Sequence, residues 1–119
     1  MKPVTTRPML AMALLCCTLG ASAAQSQSKD PPVTTIELKA FMFSPTALTV
    51  PVGTTVIWRN LDEEPHTVAS VDGKFRSGAI DQNEEFRFTF ASPGTYRYAC
   101  SIHPQMVGTV IVTARARAP

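Results

Sequence analysis

An all-β domain, a Greek-key sandwich or barrel of about seven to eight short strands, is the fold class this sequence predicts. Three observations predict it. Apolar and polar residues alternate in short runs, as half-buried strands require. Turn residues (Gly, Pro, Asp) punctuate those runs at close intervals. Beyond the N-terminus, no stretch carries apolar residues at helical spacing.

The first element is not part of that domain. Residues 1–24 read as a secretory signal peptide: Lys2 and Arg7 give a basic start, Met9 to Leu19 is an apolar run, and Ala21-Ser22-Ala23-Ala24 offers small-residue cleavage sites after Ala23 or Ala24. The run is shorter than the roughly 20 apolar residues of a spanning helix, so no membrane association is expected after cleavage. Export implies the periplasm. Residues 25–32 are polar, end in Pro31-Pro32 and read as a flexible mature N-terminus. The domain itself is expected over 33–114, with a C-terminal tail at 115–119.

Within it, Ile36 and Leu38 alternate with Glu37 and Lys39. Leu48, Val50 and Val52 alternate likewise, and Pro51 marks that run as an edge strand or a bulge because proline cannot donate to a ladder. Gly53-Thr54 turns the chain into Thr55 to Trp58. His66 to Ser70 is a further short run that ends at Asp72-Gly73. Over 84–90, Phe86, Phe88 and Phe90 face one way while Arg87 and Thr89 face the other. Ser92-Pro93-Gly94 is a turn, Tyr96 to Cys100 a strand, and Gly108 to Thr113 the closing strand. Between Ser77 and Asn83 the sequence allows at most a short turn.

Charge excludes one class of partner. Without Lys2 and Arg7, eleven basic residues become nine and match the nine acidic ones. No basic patch survives, so nucleic-acid binding has no electrostatic footprint. Cysteine usage points elsewhere. Of three cysteines, Cys16 and Cys17 leave with the signal, and Cys100 stays alone in an oxidising compartment. A lone thiol there cannot close an internal disulfide. A metal ligand resolves the problem, against the plainer reading of an inert buried cysteine.

The spacing decides for the metal. Cys100, His103 and Met106 stand in a C-x2-H-x2-M pattern, and His66 is the other of only two histidines. One thiolate, two imidazoles and one thioether form the donor list of a blue-copper site. Structural zinc takes Cys, His or carboxylate in its fourth place rather than a thioether. Cys100 should end a strand, His103 and Met106 should lie on the loop after it, and His66 should arrive from another strand.

The stretch from Thr55 to Val112 resembles the blue copper proteins, the cupredoxins, and within them is most similar to the amicyanins. TVIWRN at 55–60, PHTV at 65–68, PGTYRYAC at 93–100 and HPQM at 103–106 fall in the family's order and spacing. The resemblance implies equatorial ligation by His66, Cys100 and His103, axial ligation by Met106, and one copper ion. It also implies that Asn60 ties the His66 loop to the segment around Cys100. Ala99 and the segment 69–83 depart from the amicyanin pattern, which bears on the dehydrogenase partner and not on the metal.

The function expected is a monomeric periplasmic carrier that moves single electrons by Cu(I)/Cu(II) cycling. Its partners would be a c-type cytochrome or a periplasmic dehydrogenase or reductase. Pro65, Pro104 and Val107 are candidates for an apolar rim around His103, and Asp62, Glu63 and Glu64 for steering a basic partner. The alternative is a copper chaperone or storage protein. No enzyme is expected, because the chain has no histidine left for a second copper centre.

Overall fold

Residues 3, 4, 20, 21 and 30–115 are described in the computed structural model; most of the segment expected to be a signal peptide, most of the expected flexible N-terminus at 25–32 and most of the C-terminal tail lie outside them. Eight strands follow in order: β1 (Val33–Lys39), β2 (Met42–Ser44), β3 (Ala47–Pro51), β4 (Thr55–Asn60), β5 (Ala69–Ser70), β6 (Glu85–Thr89), β7 (Gly94–Ala99) and β8 (Val107–Thr113). They form two four-stranded sheets, β2-β1-β4-β6 and β3-β8-β7-β5. Two parallel pairings, β1 with β4 and β3 with β8, sit among antiparallel ones.

Period-two burial explains why these segments extend. Ile36 and Leu38 on β1, Val50 on β3, Tyr96 and Tyr98 on β7, and Val110 and Val112 on β8 all point inward, while their neighbours face water. The predicted alternation of Phe86 and Phe88 is present on β6, and Phe90 completes it in the core. Pro51 does end an edge strand, where its missing N–H costs nothing. Strand β2 was not legible in the sequence; it is three residues long and has one buried side chain, Phe43.

Trp58 fills the centre between the sheets, tilted against Phe75, Phe86 and Phe90 and edge-on to Tyr98. Its own register partner across the first sheet is Phe86. Such offset and edge contacts are the favoured geometry for aromatic pairs. Tyr98 in turn lies over Gly108, its cross-strand partner on β8. A Cβ at Gly108 would penetrate the phenol ring. Gly108→Ala should therefore lower stability by about 1–3 kcal/mol through overpacking, read as a drop in thermal midpoint.

Candidate metal centre

The ends of β4 and β7 lie at one edge of the sandwich, and the candidate donors gather there. Cys100 follows directly on β7, and the loop to β8 folds back through two backbone bonds, Cys100 N–H to Met106 O at 3.0 Å and Met106 N–H to His103 O at 2.9 Å. The short x2 spacing is thus closed into a tight loop. Its three predicted donors share one end of the molecule, with Cys100 and Met106 buried and His103 half-buried.

His66 does not arrive on a strand, contrary to expectation. It lies on the crossover from β4 to β5, held by an isolated two-way bridge to Ile80, at 3.1 and 2.8 Å. The run His66 to Val68 has Pro65 before it and turns toward the second sheet, so only Ala69–Ser70 pairs as a strand. His66 is nevertheless fully buried.

The donor atoms converge. His66 Nδ1 stands 4.0 Å and His103 Nδ1 3.8 Å from Cys100 Sγ, and the two nitrogens are 3.2 Å apart. All three lie within 4.8 Å of one another. The other nitrogen of His66, Nε2, donates to Asp62 Oδ2 at 2.8 Å. A carboxylate on Nε2 fixes the proton there and leaves a lone pair on Nδ1, facing the thiol. Two imidazole nitrogens and a sulfur gathered about a common space fit a thiophilic, imidazole-tolerant ion such as copper.

Asp62 is the residue that sequence reasoning misread. It is not a free surface charge but accepts three hydrogen bonds, from His66 and from the N–H groups of Ala40 and Phe41 at 2.8 and 3.0 Å. Partial burial works against its charge, but the Phe41 N–H, the His66 ring and the Ala40 N–H outweigh it and hold the carboxyl below its ordinary range. Its position four residues before His66 was the available signal. Glu63 and Glu64 remain exposed.

Asn60 also needs correction. It is fully buried, but it does not reach the Cys100 segment. Its Nδ2 donates to Glu64 O and Ile80 O at 2.8 and 2.9 Å, and its Oδ1 accepts from Asp62 N–H at 2.9 Å. Asn60 therefore builds the loop that carries Asp62 and His66. The tie to Cys100 belongs to Thr67, immediately after His66. Its N–H donates to Cys100 Sγ at 3.3 Å, and its Oγ1 bonds the Ser101 hydroxyl and accepts the Ser101 N–H, both at 2.7 Å. A threonine can do this with one hydroxyl because a hydroxyl both donates and accepts.

These contacts also set the thiol. Burial would push Cys100 up, yet the N–H groups of Thr67, His103 and Ile102 and the His103 ring together bring it down to about 6. In the metal-free protein, thiolate absorbance should therefore appear with a midpoint near 6. A folded value below the unfolded one means that the stabilisation is present at alkaline pH and fades as pH falls through about 6. Metal-free protein should thus melt lower at pH 5 than at pH 8. An unchanged midpoint across that range, or a thiol titrating near 9, would contradict this.

A buried thiolate with two imidazoles at the end of a Greek-key sandwich defines a protein with a type 1 copper site, built for electron transfer. The cupredoxin-like domain model matches residues 9–112, and the chain belongs to that family. It is 31% identical over 91% of its length to an amicyanin from Paracoccus versutus, covering 96% of that protein. Among solved structures it is similar to a purple cupredoxin from Nitrosopumilus maritimus, with TM-score 0.62, 37% identity, and coverage of 67% of this chain and 99% of that one. It is also similar to a copper-containing nitrite reductase from Thermus scotoductus, with TM-score 0.69, 31% identity and 79% of this chain covered. The match covers only 25% of the reductase chain. The site takes one copper ion.

Proposed function

We propose that the protein is a periplasmic carrier of single electrons, in which His66, Cys100, His103 and Met106 would hold the copper ion. Copper bound there supplies a one-electron couple in which sulfur favours Cu(I) and imidazole tolerates both states. The chain's own part is to keep the donors still. His66 is held from both sides, by the Ile80 bridge and by Asp62, and Cys100 by Thr67. Little then has to rearrange when the charge changes.

One observation carries the reading. Of the four donors, three are within 2% of complete burial, and only His103 reaches solvent. It does so beside exposed apolar residues: the Phe41 ring stands 5.0 Å from it, and Ile102 and Pro104 flank it in the chain. A small apolar rim around one exposed ligand suits brief docking by a c-type cytochrome or a periplasmic dehydrogenase or reductase. With four protein donors and three of them buried, substrate finds no place, which supports a carrier and not an enzyme.

The optical spectrum of oxidised, copper-loaded protein tests this directly. Intense visible absorption from Cu(II)–thiolate, lost on reduction and regained on oxidation, is the expected result. A colourless protein that holds Cu(I) without a reversible one-electron wave would favour the chaperone or storage reading.

A further inference from the structure

Three features of the turn between β1 and β2 have no part in the fold's pairing. Ala40 and Phe41 both have left-handed backbone, with φ of 53° and 58°. Non-glycine residues seldom adopt it, least of all two in succession with a bulky ring on one. Both N–H groups of the strained pair are held by the two oxygens of Asp62, the same carboxylate that holds His66. The ring this conformation projects stands edge-on to both imidazoles: 5.4 Å and 84° from His66, 5.0 Å and 89° from His103.

Strain of this kind persists only where its surroundings impose it, and here they lead to the metal donors. His103 needs such support. It sits on an irregular loop, is half-exposed and, among the described residues, donates or accepts in no side-chain bond outside the donor cluster. His66, by contrast, is already fixed through Nε2.

We propose that Phe41 is a positioning residue for the copper site: the Asp62-held turn sets its ring as a wedge that fixes the His103 imidazole. This rests on the electron-carrier reading above. A wedge against the exposed ligand would slow metal loss and keep the donor geometry constant between oxidation states.

The test compares Phe41→Ala and Phe41→Tyr with the unaltered protein. Phe41→Ala should release Cu(I) to bicinchoninate about tenfold faster, a ratio that one lost aromatic contact accounts for. Phe41→Tyr keeps the ring and should release at the unaltered rate. In the metal-free proteins, the His103 ring ¹⁵N signals should broaden in Phe41→Ala alone. If Phe41→Ala fails to fold, Phe41→Leu takes its place: it keeps apolar bulk, loses the flat edge, and should still release copper several-fold faster. Equal release rates and unchanged His103 signals in the ringless variant overturn the proposal. An unaltered protein that takes up no copper sinks the carrier reading instead, while the metal-free NMR comparison still decides the role of Phe41.

Discussion

Cys100→Ser will give a folded protein that has lost its visible absorption and its one-electron wave. The substitution is nearly isosteric, and Cys100 Sγ has no disulfide partner to lose. What disappears is the soft donor. A serine hydroxyl does not ionise near neutral pH and is a poor ligand for Cu(I), whereas the Cys100 thiol ionises at about 6. The N–H of Thr67, 3.3 Å from sulfur, can still bond the serine oxygen, so the loop should survive. Affinity for Cu(I) should fall by several orders of magnitude, measured by competition with a chelator. A blue Cys100→Ser variant would remove this cysteine from the site altogether.

Asn60→Ala should do the reverse, leaving the donors in place but loosening what holds them. Asn60 is fully buried and satisfies three backbone groups: Asp62 N–H, Glu64 O and Ile80 O. Each group left unpaired in the interior costs about 1–3 kcal/mol, so a loss on the order of 3–5 kcal/mol is expected after partial rehydration. That is a large share of the 5–15 kcal/mol typical of a small domain. The thermal midpoint should fall by well over ten degrees. Because Asp62 and Ile80 both hold His66, the visible spectrum should broaden as well. A drop in midpoint with an unchanged spectrum would show that the loop's folding and the ligand's orientation are separable.

The sequence and the structure agree where a side chain's chemistry or alternation is local. Phe86, Phe88 and Phe90 announce an inward face by spacing alone, and Cys100, His103 and Met106 announce a ligand loop by composition and spacing. Agreement fails where a role depends on geometry across the chain. Strand β2 is too short to alternate. Thr67 looks like any strand residue until Ser101, 34 positions later, is folded against it. Asp62, in a run of three acidic residues, has the composition of a solvated loop; only the return of Ala40 and Phe41 from 22 and 21 positions earlier reveals it as a half-buried acceptor. Phe41 carried no signal at all. Its contact with His66 and His103 comes from a backbone conformation that its residue type disfavours.

The crossover that carries His66 leaves the first sheet after β4, while Cys100 leaves the second sheet after β7. A bound ion therefore rivets two layers that otherwise meet mainly through side-chain packing, and it closes a 34-residue span as a disulfide would. In a chain of this size, stripping the ion removes a cross-link as well as a redox centre. The folded protein's lifetime then depends on how quickly the site is filled.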